Sequence, residues 1–149
     1  MEAKIILARE SVTAMRWFSH NCFEANPTKF QSIIFGNIEE LDESIVVQDK
    51  TLPTSESVKL LGVTFDKRLL FEQHISDLCR KASTQIKVLM RFKRILDIPS
   101  KLAILKTYIL SHFKYCQLIY HFCSCHNSQK MVKVLERGSR FVFSDYISP

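Results

Sequence analysis

Four basic residues recur at helical spacing in the middle of this 149-residue chain, namely Arg80, Lys87, Arg91 and Arg94. Projected at 100° per residue with Ile75 at zero, they fall between roughly 100° and 160° and spread along about 21 Å of helix axis. A row of cations like this can follow a nucleic-acid phosphate backbone without reading base sequence. It can equally be a basic helix face that stays in water, and the spacing alone leaves both interpretations open.

Five cysteine and histidine residues in the last third of the chain are candidate metal ligands. They are Cys116, His121, Cys123, Cys125 and His126. Their spacing lacks the Cys-x-x-Cys pair that usually lets two thiolates share one tetrahedral zinc ion. We therefore expect no metal site, and we expect the five cysteines of the chain to be reduced thiols that pack as small core residues.

The acidic residues offer little for metal-dependent catalysis. Adjacent carboxylates occur at Glu39-Glu40 and Asp42-Glu43, which fall in a predicted loop rather than on neighbouring strands. Two-metal catalysis of nucleotide transfer needs carboxylates that hold both ions. The three glycines, Gly36, Gly62 and Gly138, form no glycine-rich phosphate loop either. We expect no cofactor in this chain.

The first part of the chain predicts one helix followed by a small antiparallel sheet. Apolar residues at three- and four-residue spacing indicate an amphipathic helix over 3–22, and Pro27 lies beyond its end. Three short runs rich in β-branched residues then predict strands, at 31–36, 44–48 and 57–66. A loop is expected over 39–43 and a turn over 49–53.

The second part switches to a helical period. An apolar stripe predicts a helix over 71–95, and Pro99 marks the break after it. Ser100 is a candidate N-cap for a helix running to about Ser111. Further helices are predicted over 114–122 and from Asn127-Ser128 onward. The fold class predicted is α+β, with a segment 1–66 of helix plus sheet and a segment 67–149 that forms an α-helical bundle.

Charge is distributed unevenly between these two segments. Residues 1–66 carry six Lys and Arg against ten Asp and Glu, whereas residues 67–149 carry fifteen against five. Such an asymmetry suggests that the second segment faces a polyanion. The composition, 46% hydrophobic and 24% charged, is ordinary for a globular protein.

No targeting signal or membrane span is expected. The N-terminus lacks the apolar core of a secretory signal, so we expect an intracellular protein, cytoplasmic or nuclear and not secreted. The most apolar window, 102–123, includes Lys106, His112 and Lys114, whose burial in lipid would be costly. This window predicts a buried helix and no membrane partner.

Short motifs follow one another in a fixed order from Trp17 almost to the end of the chain. They are Trp17, Asn21, Asn26-Pro27-Thr28-Lys29, Ile34-Phe35-Gly36, Val58 to Val63, His74-Ile75, Tyr115-Cys116, Leu135-Glu136-Arg137, Arg140 and Asp145-Tyr146. Each motif alone is weak. Their succession resembles the end of the palm and the thumb of non-LTR retrotransposon reverse transcriptases, which are RNA-directed DNA polymerases.

The resemblance implies roles for two places in the first segment. Lys29 matches the lysine suggested to protonate the pyrophosphate leaving group, where negative charge builds up. Leu61-Gly62-Val63 matches the primer-grip turn, where a glycine would let the primer backbone approach closely. The residues alone leave other interpretations open, a surface lysine for the first and a bulge within a core strand for the second.

The resemblance also implies what the chain binds and what it lacks. The helical segment would correspond to the thumb, which holds an RNA or DNA template–primer. The aromatic-x-Asp-Asp hairpin that precedes the palm helix in this family has no counterpart here, so we expect a missing N-terminal polymerase portion and no polymerisation by this chain. Mg²⁺ would be expected only for the complete polymerase. The alternative is an adopted, non-catalytic module that binds nucleic acid or an acidic protein.

Overall fold

The computed structural model describes residues 2–36, 44–47 and 50–143. They form an N-terminal helix, two small sheets of two strands each, and then a series of helices, which confirms the predicted α+β class. By its internal contacts the chain divides into two units. The first comprises residues 1–60 and 66–68, and the second comprises residues 61–65 and 69–149.

The first unit begins with helix α1, Glu2–His20, close to the predicted range 3–22. The chain leaves the helix at Asn21, whose side-chain amide donates to the Trp17 carbonyl at 2.8 Å. Just beyond it, the rings of Trp17 and Phe23 stack with centroids 6.3 Å apart. A short 3₁₀ turn, Pro27–Lys29, follows, in keeping with the expected break at the proline.

The first sheet corrects one of the turn predictions. Strand β1, Ser44–Val47, confirms the predicted strand within the described residues and pairs antiparallel with β2, Lys50–Pro53. The turn expected over 49–53 is therefore wrong over 50–53, because Leu52 pairs opposite Ile45 in the ladder. Pro53, which has no N–H to donate, stands at the strand end.

The strand predicted over 31–36 is also wrong. In this stretch Ser32 forms an isolated bridge to Thr54, and its carbonyl accepts from the Ser55 N–H at 2.8 Å. At the other end the Gly36 N–H donates to the Lys67 carbonyl at 3.1 Å. These hydrogen bonds hold the two ends of the segment to different partners, so the apolar run between them builds no continuous ladder.

The strand predicted over 57–66 is in fact a hairpin. Strand β3, Ser57–Leu60, and strand β4, Val63–Asp66, form the second sheet. The two residues between them, Leu61 and Gly62, have φ angles of +48° and +86°. A two-residue loop with both φ angles positive matches the right-handed twist of its strands, and its second position favours glycine.

The second unit contains the helices, and its first helix ends earlier than predicted. Helix α2 spans Glu72–Met90, and residues 91–95 are turns rather than helix. The predicted stripe is confirmed at its centre, since Ile75, Cys79, Ala82 and Ile86 are buried.

The next helix is capped by a different residue from the one expected. Helix α3 spans Ile98–Ile104, and its N-cap is Asp97 rather than Ser100. The Ser100 N–H donates to Asp97 Oδ1 at 3.2 Å. Hydrogen bonding to Ser100 is the main reason that the pKa of Asp97 is lowered. Pro99 sits in the first turn, where its missing N–H has no helical partner to lose.

The chain continues from α3 into a π-helical turn, Leu105–Leu110, and then into α4, Ser111–Lys114. The helix predicted over 114–122 is instead a 3₁₀ helix, Gln117–Phe122, because Cys116 adopts a left-handed conformation with φ +51°. Helix α5 spans Cys125–Phe143 and begins two residues before the predicted start.

The core of the second unit lies where α5 packs against α2 and the π-helical turn. Met131, Val134 and Phe141 point inward as predicted. Gly138 permits the close approach, since a Cβ there would lie 2.7 Å from Leu105 Cδ1 and 3.8 Å from Ile86 Cδ1. No helix in the described part of the chain is long and apolar enough to cross a membrane.

Candidate nucleic-acid interface

The Leu61-Gly62-Val63 segment is the most distinctive surface feature of the second unit. The Leu61 side chain is 82% exposed, whereas Val63 is 3% exposed and belongs to the core. The backbone therefore passes from solvent to core within two residues. The turn is thus a protruding loop with a buried anchor directly after it.

A tyrosine from the helical bundle holds the tip of this turn. The Tyr115 hydroxyl donates to the Leu61 carbonyl at 2.6 Å. Burial, and secondarily the neighbouring Cys116, raise the pKa of Tyr115 above its ordinary value, which keeps the hydroxyl protonated and able to donate. The sequence places Tyr115 in a motif but does not indicate this role, because the contact spans 54 positions.

A histidine lies beside the base of the same hairpin. The Thr64 N–H, one residue after Val63, points at His74 Nδ1 at 3.4 Å. This contact needs an Nδ1 without a proton, which a neutral imidazole provides. His74 is 9% exposed on the first turn of α2. Two residues of the motif succession, His74 and Tyr115, therefore support the turn from below.

Gly62 is required by its backbone angle rather than by lack of space. A Cβ added there would meet only ordinary contact, with Tyr115 Cε1 4.0 Å away. Its φ of +86° is a conformation that residues with a Cβ rarely adopt. Because Gly62 lies in a turn between two strands, the interpretation as a bulge within a core strand is wrong. The role of this segment in binding a primer stays a prediction.

A second tyrosine orders the segment next to Tyr115. The Tyr120 hydroxyl lies 3.3 Å from the His112 carbonyl and 3.4 Å from the Tyr115 carbonyl. Burial, then the nearby Cys116 and Cys79, raise the pKa of Tyr120 to about 12, so the hydroxyl remains a donor. Tyr120 thus ties the end of α4 to the residue that holds the turn.

The four predicted cations do not form one helical row. Arg80 and Lys87 lie on α2, but Arg91 is its C-cap and Arg94 lies in the turns that follow. The helix ends there because Arg91 and Phe92 make tighter bonds, to the carbonyls three residues back.

The first cation of this set is also paired. Arg80 Nη2 lies 2.6 Å from Asp77 Oδ1, an i,i+3 ion pair on the same helix. All four cations are exposed, so phosphate contacts by them remain a prediction. The geometric basis for a continuous row ends at Met90.

Lys29 is the last residue of the 3₁₀ turn in the first unit. Its side chain is exposed, and the turn is closed by the Lys29 N–H donating to the Asn26 carbonyl at 3.1 Å. Asn26 Oδ1 further accepts from the Thr28 N–H and hydroxyl. A proton-donating role for Lys29 stays a prediction by resemblance.

The remaining candidate ligands are scattered. The acidic residues 39–43 lie outside the described residues. Within the described ranges no group of three His, Cys, Asp or Glu could hold a metal ion. All five cysteines are free thiols. The expectation that they pack in the core is correct for Cys79 and in part for Cys123, and it is wrong for the other three, which are exposed.

Sequence comparison connects the chain to one class of protein. No family model matches it, and no solved structure matches it. It does have similarity to an RNA-directed DNA polymerase of a transposon. That protein is the "Probable RNA-directed DNA polymerase from transposon X-element" of Drosophila melanogaster, 25% identical over 105 residues. The match spans 68% of this chain and 12% of the relative. The chain is thus distantly related in sequence to a reverse transcriptase.

Proposed function

We propose that this chain is a reverse transcriptase-related fragment that binds a nucleic-acid template–primer and does not itself polymerise. The observation that carries the proposal is the similarity to the X-element polymerase over 105 residues. At 25% identity the similarity supports a class of protein and leaves the retained elements to be tested.

The geometry of the hairpin supports the binding part of the proposal. The Leu61-Gly62 turn projects from the second unit and is fixed by Val63 in the core and by the Tyr115 hydroxyl. A rigid, protruding main-chain turn can approach a sugar–phosphate backbone without a large loss of conformational entropy. We propose that this turn contacts the primer strand.

Charge supports the same partner. From residue 67 onward, fifteen Lys and Arg stand against five Asp and Glu. Cations that contact phosphates release condensed counterions, which makes binding favourable at low salt and independent of base sequence. The thumb-like role proposed for this segment needs no more than that.

The non-catalytic part of the proposal rests on the sequence itself. The 149 residues contain no Asp-Asp pair after an aromatic residue. Without carboxylates to hold two Mg²⁺ ions, neither the attacking hydroxyl nor the leaving phosphate is activated. Lys29 alone could only assist a reaction whose metal centre lies elsewhere.

The proposal is tested by anisotropy of a fluorescent primer–template titrated with the chain at several salt concentrations. We expect binding that weakens linearly in log–log form as salt rises. No binding at about 50 mM salt, where phosphate contacts are strong, would overturn the proposal. Competition by poly-L-glutamate as effective as competition by nucleic acid would instead identify a module that binds acidic proteins.

A primer-extension reaction with Mg²⁺ and all four nucleotides tests the second part. We expect no incorporation above a control without protein. Extension of the primer would show a catalytic centre that the sequence does not reveal.

A further inference from the structure

The longest uninterrupted cationic row in the second unit lies on α5. Lys133, Arg137 and Arg140 are all exposed on this 19-residue helix. With Lys133 at zero, Arg137 and Arg140 project at about 40° and −20°, a sector of roughly 60°. Because α5 runs regularly to Phe143, this row keeps the helical geometry that the α2 set lacks beyond Met90.

The row lies away from the packed face of α5. The buried residues Met131, Val134 and Phe141 mark the face that meets α2 and the π-helical turn. Measured from Lys133, these three project at about 160°, 100° and 80°, so the cations occupy the other side of the helix. They can therefore meet a partner without disturbing the core.

These cations are not neutralised within the described chain. The ion pairs there are Arg9–Glu10, Lys67–Glu56 and Arg80–Asp77, and none involves α5. Glu136 is the acidic residue of this helix and is exposed beside the row. Counting Lys130 as well, α5 carries a net charge of +3, whereas α2 carries +1.

Lys130 extends the row toward the start of the helix but has a different role. Its Nζ lies 3.5 Å from Asn127 Oδ1, and the residue is only partly exposed. We therefore leave Lys130 out of the surface and define the α5 basic face as Lys133, Arg137 and Arg140.

We infer that the α5 basic face is the surface of this chain that follows a nucleic-acid phosphate backbone. The inference rests on the proposed function and names the place where the polyanion binds. The three cations span about 10 Å at 1.5 Å per residue. One strand of a duplex presents a phosphate about every 3.4 Å along its axis, so the face covers roughly three successive phosphates.

Residue type favours phosphate over carboxylate as the repeating partner. Two of the three are arginines, whose planar forks bind phosphate oxygens in a bidentate manner. Even spacing along a straight helix suits a regular backbone better than the irregular carboxylates of an acidic peptide. The contacts read no base, so binding should be independent of nucleic-acid sequence.

The test uses the full chain and two triple variants that remove three positive charges each. One is Lys133→Gln, Arg137→Gln and Arg140→Gln on the α5 basic face. The matched control is Arg80→Gln, Lys87→Gln and Arg91→Gln. Glutamine keeps a high helix propensity, so both variants should retain the far-UV circular dichroism of the wild type.

The readout is the slope of log affinity against log salt for a duplex primer–template. Removing one phosphate contact should reduce the magnitude of this slope by about 0.9, so the slope of the α5 variant should be flatter by about 2.7. The slope of the control should change clearly less, because its substitutions alter net charge and leave the α5 basic face in place.

A wild-type slope in the α5 variant would overturn the inference while leaving the proposed function intact. An equal change of slope in both variants would also overturn it, because net charge alone would then explain the binding. If the wild-type chain binds no nucleic acid, the proposed function and this inference fail together.

Discussion

At the scale of single residues, the Leu61-Gly62 turn depends on a hydroxyl that is 54 positions away in the sequence. Leu61 is not a glycine, yet it holds a φ of +48°. Such a conformation is unfavourable for a residue with a Cβ and persists only when its surroundings hold it. The Tyr115 hydrogen bond to the Leu61 carbonyl is the contact that does so.

Replacing Tyr115 by phenylalanine should loosen the turn and leave the fold unchanged. We expect several-fold faster hydrogen exchange at the amides of Gly62 and Val63, because local opening no longer has to break the Tyr115 hydrogen bond. The measurement is amide exchange followed by NMR. Weaker primer–template binding should accompany it if the turn contacts the primer.

Tyr108→Phe is the matched control, since Tyr108 is 63% exposed and has no hydrogen-bond partner for its hydroxyl among the described residues. It should exchange like the wild type at both amides. Equal exchange in the Tyr115 and Tyr108 variants would show that the hydroxyl does not restrain the turn.

At the scale of elements, helix interiors follow the sequence pattern and element ends do not. The buried stripe of α2 is predictable because an apolar face of period 3.6 has one way to reach the core. Its end at Met90 is not, because the bonds of Arg91 and Phe92 to carbonyls three residues back depend on local packing. The predicted row of four cations is wrong for this reason.

The start of α3 does carry a signal in the sequence. Pro99 after an apolar stripe suggests a break, but proline is tolerated in a first helical turn and then implies a cap just before it. Asp97 is that cap. The correct start thus follows from the residue types around Pro99.

The Asp97 cap should make stability depend on pH in the acidic range. Its pKa is lowered in the folded state, mainly by the Ser100 hydrogen bond, so its contribution is present above the unfolded pKa of about 3.9. That contribution disappears as pH falls through the folded value. The Tm difference between wild type and Asp97→Ala should therefore be larger at about pH 7 than at about pH 2.5.

Thermal unfolding followed by circular dichroism at both pH values measures this difference. Asp97→Asn serves as a control, because asparagine caps helices without a titrating group. It should remain close to the wild type at neutral pH. A Tm gap for Asp97→Ala that does not shrink in acid would show that the carboxylate is not the relevant cap.

At the scale of the whole molecule, the α+β class is predictable from the sequence, but the strand pairing is not. The class follows from where the apolar period changes, which is a local property. The β1–β2 ladder and the single bridge of Ser32 depend instead on which segments meet. The candidate turn at Leu61 to Val63 is visible as a motif, whereas its supports and the α5 basic face require the three-dimensional structure.

A further property of the molecule is the apolar surface of α1. Ile5 and Val12 project on the same side of the helix and are 66% and 41% exposed. Trp17, further along the helix, is 57% exposed. Exposed apolar surface of this kind favours association with another chain.

Replacing Ile5 and Val12 by lysine should therefore reduce self-association of the full chain. We expect static light scattering to rise with concentration for the wild type and to stay near the monomer value for the variant. Thr13→Lys with Ala14→Lys adds the same charge without removing a large apolar side chain, so it should associate more than the Ile5/Val12 variant. Equal behaviour of the two variants would assign the effect to charge alone.

The π-helical turn at Leu105–Leu110 has a consequence for how this chain tolerates insertions and deletions. A π-helical turn holds more residues per turn than an α-helix, so it acts as an offset in phase between α3 and α4. Removing one residue here, for example Thr107, would let a regular α-helix form across the join. The helix content would hardly change, but everything after it would rotate by about 100° about the helix axis. Tyr115 follows directly after α4, so its hydroxyl would then face away from Leu61. The length of this one irregular turn, rather than the identity of any side chain in it, therefore sets the angular position of the tyrosine that holds the hairpin.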